Sequence, residues 1–268
     1  MQTPSILFED SDILVIEKPA GVIVNRADTT INQSTVQEWA EKNLRVPKVS
    51  NVSKVSKAKI PPDTSGTYDT SDTFYKRGGI VHRLDKETSG ILIIAKNEES
   101  FVNLQRQFKE GGVKKTYIAL CHGEVKPSEG EINIPIGRLP WNRMRFGVLP
   151  QGREARSKYK VLSIKYYESN KVREPLSLVE VYPETGRTHQ IRVHMQYIGH
   201  PIFADELYAG RKISKRDRKL LPRHFLHASK ISFTHPKTGQ SITLESPLPH
   251  DLEEFLDSLN QTQKPQLS

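Results

Sequence analysis

The sequence predicts an α+β fold. Strand-like apolar runs recur along the whole chain, helical patterns are few and scattered among them, and neither a regular strand–helix alternation nor an internal repeat is present. At 268 residues the chain is long enough to bury a substantial core. Residues 5–260 are expected to form one domain, followed by a loose polar tail at 261–268.

The elements follow in order. Ile6 to Phe8 is a short apolar run closed by the turn cluster Glu9-Asp10-Ser11-Asp12. Ile13 to Ile16 is apolar throughout, as a buried strand is, and Lys18-Pro19-Ala20-Gly21 turns the chain. Val36, Trp39, Ala40 and Leu44 then recur at helical spacing, with Ser34 placed as the cap and Gln37 completing a capping box. The stretch 47–74 is rich in Ser, Lys, Thr, Asp and Pro with little to bury, so it reads as a flexible insertion within the domain. Ile91 to Ala95 is another buried strand. Asn97 caps the next helix, Glu98 and Glu99 lie where the helix dipole favours anions, Phe101, Leu104 and Phe108 share a face, and Gly111-Gly112 end it. Lys115 to Leu120, Arg156 to Ile164 and Leu176 to Val181 read as strands, and His189 to Ile198 as a helix ended by Gly199. Ile231 to Thr234 and Ile242 to Leu244 flank a six-residue turn, a hairpin signal. Leu252, Phe255, Leu256 and Leu259 mark a final amphipathic helix.

Composition narrows the function. Forty Lys and Arg against thirty-one Asp and Glu leave a net charge of +9, which suits a polyanionic partner whose counterions are released on binding. No apolar run approaches the length of a membrane span, and Met1 to Phe8 lacks the basic-then-apolar pattern of a secretory signal. Cys121 is the only cysteine, which excludes an intramolecular disulfide and a cysteine-rich metal site and fits a reducing cytoplasm.

The most informative stretch is Val81-His82-Arg83-Leu84-Asp85-Lys86-Glu87-Thr88-Ser89-Gly90, running directly into the strand Ile91 to Ala95. It sets one carboxylate, Asp85, among cations at the mouth of a rigid strand. Nearby cations favour the ionised form that a nucleophile requires. On composition alone the same loop is a solvated turn.

The longer string HRLDKETSGILIIAK resembles, without gaps, the catalytic motif of the RluA-type pseudouridine synthases. ILFEDSDILVIEKPAGVIV resembles that family's opening strands, KKTYIAL its tyrosine motif, ETGRTHQIRVHMQYIGHPI its arginine motif, and LHASKISFTHPKTG with ESPLPHDL its closing strands. The segments stand in family order and cover nearly all the chain apart from the insertion and tail. Family-like sequence begins near residue 5, so the extra N-terminal RNA-binding domain of some relatives is not expected.

The resemblance implies a mostly antiparallel mixed sheet with flanking helices, and isomerisation of uridine to pseudouridine in structured RNA, ribosomal or transfer, without metal or cofactor. It makes Asp85 the catalytic aspartate, which either attacks the sugar or removes a sugar proton. Tyr117 becomes the tyrosine that stacks on uracil and takes the C5 proton, and Arg192 the arginine paired with the aspartate. Arg83 becomes the residue that enters the space left by the flipped nucleotide. His82, Arg187 and His189 are expected to contact substrate, as are Arg143 and Arg145 in the cationic, aromatic stretch 138–146. Base flipping costs a few kcal/mol that such contacts offset. The sequence departs from the family at Asn25, Ser157 and Ala204, where proline or histidine, threonine and glycine are usual. No obligate protein partner is implied, and a monomer is expected.

Other readings carry less. An idle RNA-binding relative is opposed by the intact set Asp85, Tyr117 and Arg192. A metal-dependent nuclease would need ligands, and His189 and His194 are five apart, which misses the three- or four-residue spacing of a helical zinc pair. Gly78-Gly79 and Gly111-Gly112 lack a phosphate-loop context. Lys86-Glu87 and Glu98-Glu99 read as surface charge. The run 211–219 is almost all charge, and reads as RNA backbone contact in preference to a solvated loop.

Overall fold

A computed structural model describes residues 3–26, 34–44, 71–169 and 172–261. In chain order the strands are β1 (Ser5–Glu9), β2 (Ile13–Lys18), β3 (Ser89–Ala95), β4 (Lys114–His122), β5 (Glu129–Asn133), β6 (Ile136–Leu139), β7 (Asn142–Val148), β8 (Arg156–Ser169), β9 (Val172–Pro183), β10 (Leu226–Thr234) and β11 (Ser241–Glu245). The helices are α1 (Val36–Asn43), α2 (Ser71–Arg77), α3 (Glu98–Glu110), α4 (Gln190–Tyr197), α5 (Arg211–Asp217) and α6 (His250–Gln261). The fold is α+β, as expected. The chain forms two compact units. One holds the described residues up to Lys86 with Ile91–Val113 and Phe233–Ile242. The other holds Glu87–Gly90, Lys114–Ser232 and the described residues from Thr243.

In the first unit β1 and β2 pair antiparallel, with a bulge between Ile6 and Phe8. Ile13, Leu14, Val15 and Ile16 are buried, and so is every residue of Ile91–Ala95, which lies beside β2. Each such side chain removed from water contributes about 1.5–3 kcal/mol. Asn97 caps α3 through the Ser100 N–H, and Gly111 ends it in the left-handed conformation, both as expected. The cap of α1 is one residue later than expected. Thr35 Oγ1 accepts the Glu38 N–H and Glu38 returns to the Thr35 N–H, whereas Gln37 is spent on Glu41 and the Lys76 carbonyl. Most of the expected insertion lies outside the described residues, but its end is corrected. Helix α2 begins at Ser71, and Phe74 is buried with its ring edge-on to Phe101 at 5.6 Å.

In the second unit the strand order is β10-β4-β9-β8-β5 with every pair antiparallel, and the first two residues of β3, Ser89 and Gly90, run parallel to His227 and Ala228 of β10. Gly90 has φ of 115°, and a Cβ there would lie 2.3 Å from the Ala228 carbonyl oxygen, so only glycine lets the two backbones meet. One core cluster gathers Ala119, Val179, Val181, Ile191 and Met195; a second gathers Phe203, Phe225, Leu252, Phe255 and Leu259.

The cationic, aromatic stretch 138–146 falls in two strands. Strands β6 and β7 form an antiparallel hairpin turning at Pro140-Trp141, with Ile136 and Phe146 packed toward Val193 of α4. The run 211–219 contains the short helix α5, with Asp217 buried. Among the described residues no helix is long and apolar enough to cross a membrane.

Candidate active site

The chain after Asp85 is fixed by charged groups, and the residue before it by burial. In the first unit Leu84 is buried while Arg83 is exposed and Asp85 half-buried, so the loop is pinned directly before Asp85 by an apolar side chain. Lys18 is fully buried. Its Nζ donates to the carbonyls of Pro19, Val22 and Lys86 at 2.9, 2.9 and 3.1 Å, and the Gly21 N–H also reaches the Lys86 oxygen at 2.8 Å. Three carbonyls match three ammonium donors, which is what makes a buried lysine tolerable. In the sequence Lys18 reads only as part of a turn. A lysine closing a strand that opens with four apolar residues was the available signal. His82 accepts the Ile93 N–H on Nε2 at 2.9 Å and stacks on Phe108 at 4.6 Å.

In the second unit Glu87 is not the surface charge expected of it. Its carboxylate takes both Arg218 Nη2 and Nη1, at 2.7 and 3.1 Å, and lies 3.3 Å from His224 Nδ1. Burial pushes this carboxyl up, but His224 and Arg218 outweigh it and hold it far below the usual range. Arg223 donates to the Glu87 carbonyl and to Ser89 Oγ, and is itself paired with Asp251. Thr88 meets His224 at 2.9 Å, and Ser89 meets His227 at 2.9 Å. Lys86 and Glu87, the two residues after Asp85, are therefore each anchored by a buried or half-buried charge. Of these residues His227 fell in the segment read from the sequence as a closing strand, and Arg223 and His224 were not singled out.

Tyr117 lies in β4 opposite Ala228 and Val181, its ring against the first core cluster. Strand periodicity puts Lys115 on the same face. Burial, with Lys114 beside it, pushes the Lys115 ammonium down to about 8, and its Nζ lies 3.4 Å from the Thr185 carbonyl.

Arg192 is buried on α4 in a bidentate pair with Asp205: Nε to Oδ2 at 2.7 Å and Nη2 to Oδ1 at 2.9 Å. Burial pushes the Asp205 carboxyl up, and Arg192 more than reverses it. Asp205 also accepts the N–H groups of Leu207 and Tyr208. Sequence reasoning missed this acid and noted only its neighbour Ala204, which has φ of 59°. That left-handed backbone accounts for the usual preference for glycine there. Ser157, the other departure near this site, is buried and accepts from Gln190, which also receives the Arg187 N–H. Arg187 Nε donates to the Glu154 carbonyl at 2.9 Å. His189 opens α4 with φ of 56°, and its Nδ1 lies 2.9 Å from the Tyr208 hydroxyl. Arg145 rests over the Tyr208 ring at 5.2 Å, whereas the Arg143 side chain lies outside the described residues. At the hairpin tip Trp141 and Met144 are each 76% exposed.

His189 and His194, weighed as a zinc pair, are not gathered into a metal-ligand group among the described residues, and neither is His200. His189 meets Tyr208, His200 Nδ1 meets the His122 carbonyl, and burial pushes His194 down to about 4. In the first unit Asp10, Asp12 and His235 do converge. However, His235 Nδ1 accepts the N–H groups of Lys237 and Thr238, which puts its proton on Nε2, 2.7 Å from Asp10. That proton occupies the position a metal would take, so this donor set does not fit a cation.

Of the basic run 211–219, Arg216 pairs with Asp217 and Glu174, and Arg218 with Glu87. Arg211, Lys212, Lys215 and Lys219 are exposed.

Residues 12–197 match the family described as RNA pseudouridylate synthase. Ribosomal large subunit pseudouridine synthase D of Nitrosomonas europaea is 37% identical over 95% of this chain, which spans 64% of that relative's length. An uncharacterized RNA pseudouridine synthase of Bacillus subtilis is 34% identical over 95% of this chain and 72% of its own. Among solved structures, Human RNA Pseudouridylate Synthase Domain Containing 1 is similar at a TM-score of 0.66 and 26% identity, over 97% of this chain and 94% of that one.

Proposed function

Because the chain belongs to the RNA pseudouridylate synthase family, we propose that it isomerises uridine to pseudouridine in structured RNA, with residues 5–260 as one catalytic domain acting as a monomer in the cytoplasm. Ribosomal RNA is the first target to examine, since one relative carries that substrate in its name; transfer RNA is the second. The observation that supports this most is the double anchoring beside Asp85, through the Lys86 carbonyl and the Glu87 carboxylate. A carboxylate that must meet a ribose gains from a chain that cannot drift.

The reaction breaks the bond from uracil N1 to the sugar C1′, turns the base, and joins C5 to C1′. The C5 proton leaves and N1 gains one, so nothing is oxidised and no co-reactant is consumed. In this reading Asp85 acts on the sugar, Arg192 supplies the cation for its carboxylate, and Tyr117 stacks on the uracil and takes the C5 proton. Asp205 holds two of the Arg192 donors, so the guanidinium is oriented before substrate arrives. Arg83 fills the stack after flipping, and His82, Arg143, Arg145, Arg187 and His189 contact RNA.

Asp85→Asn tests this. The amide is nearly isosteric, so the fold is expected to persist while pseudouridine formation in ribosomal and transfer RNA transcripts is lost. Activity within about tenfold of wild type, a loss of only ~1.4 kcal/mol, would sink the reading.

A further inference from the structure

The β6–β7 hairpin and Arg192 meet in one side chain, Tyr208. Tyr208 is buried, and its backbone is held because Asp205 accepts its N–H. Its ring carries two guanidinium groups, Arg192 at 5.0 Å and Arg145 of β7 at 5.2 Å from the centroid. The hydroxyl accepts the Phe146 N–H at 3.1 Å and donates to the Phe146 carbonyl at 3.1 Å, so it grips β7 by both backbone groups. With its single proton so used, it can only accept from His189 Nδ1 at 2.9 Å, which fixes that imidazole with a hydrogen on Nδ1. Tyr208 also belongs to the cluster with Ile136, Ala155 and Val193, so helix, hairpin and ring share one packing unit.

We propose that Tyr208 is a positioning residue that couples the β6–β7 hairpin to Arg192. The ring face sets the guanidinium used in the chemical step. The hydroxyl sets the hairpin and His189, which meet the RNA. The two roles belong to different atoms of one side chain, and can be separated. The proposal rests on the reading of Arg192 as catalytic.

The test uses the full chain and an unmodified pool of ribosomal and transfer RNA transcripts labelled with tritium at uridine C5. Tritium release is followed in single turnovers at saturating enzyme, with RNA affinity from filter binding and folding from thermal melts. Tyr208→Phe keeps the ring and removes the hydroxyl. It is expected to weaken RNA binding about tenfold while the rate constant stays within about twofold, because the cation–π contacts persist. Pentafluorophenylalanine at 208 keeps shape but reverses the ring quadrupole. It is expected to slow release about fivefold or more relative to Phe. A merely structural role would lower the melting temperature and the active fraction, but not the rate constant at saturation. Unchanged RNA affinity in Tyr208→Phe, or equal rate constants for Phe and its fluorinated form, would overturn the proposal. Equal release by wild type, Asp85→Asn and Arg192→Met would instead remove the catalytic reading beneath it.

Discussion

A single histidine gives the molecule a measurable dependence on pH. His122 in β4 lies between Glu174 and Asp217, with Nδ1 at 2.7 Å and Nε2 at 2.9 Å from their oxygens. Burial pushes this imidazole down, but the two carboxylates outweigh it and raise it to about 8. A group whose folded value lies above its unfolded value stabilises the fold fully below the unfolded value, near 6.5, and loses that contribution as pH rises through the folded value. The shift corresponds to about 2 kcal/mol. Glutamine cannot be protonated, so the stability gap between wild type and His122→Gln should shrink by about 2 kcal/mol from pH 6 to pH 9. Denaturant titrations at the two pH values measure it, and a gap independent of pH would show that the imidazole is not the charged partner. The sequence did not reveal this triad. Its members come from β4, β9 and α5, and Asp217 is hidden within a run of cations.

Among the elements, the start of β3 leaves no room for change. Gly90→Ala would place a methyl 2.3 Å from the Ala228 oxygen and 2.7 Å from its nitrogen, on a backbone with φ of 115°. The expected outcome is loss of at least about 3 kcal/mol or failure to fold, read by thermal melting. A variant as stable as wild type would mean that β3 and β10 separate there at little cost. Elements with a clear period were legible: β2, β3, α3 and α6 appear where their apolar spacing put them, because each buries one face or both. Hairpin β6–β7 was not, because its exposed face carries Arg and Trp while it gives the core beside α4 little more than Ile136 and Phe146. The α1 cap was missed by one residue because Ser34 and Thr35 are both good caps, and only the partner three residues on decides between them. At the site, the resemblance supplied Asp85, Tyr117 and Arg192. Asp205, Tyr208 and Arg218 act through residues distant in sequence and left no local pattern, and Lys18 left only a charge at the end of an apolar run.

At the scale of the whole molecule, the net charge of +9 predicts that the proposed RNA binding depends on salt. Part of the positive charge is committed to internal acids, as Arg216 and Arg218 show, so the count of forty Lys and Arg overstates what RNA can meet. Replacing the exposed Arg211, Lys212, Lys215 and Lys219 with serine should reduce the slope of log affinity against log salt by about 0.7–0.9 for each phosphate no longer neutralised. Titrations of wild type and variant with RNA transcripts at several salt concentrations read it, and an unchanged slope would take α5 out of the interface. The division of the chain also has a consequence for how the protein is made. Neither compact unit is a continuous stretch: the first needs Phe233–Ile242, and the second begins with the four residues Glu87–Gly90. A ribosome adding about 5–20 residues per second takes roughly ten to fifty seconds to reach residue 242. For that time the opening strands, already outside the ribosome, lack their last segment, and the first unit cannot close before that segment is made.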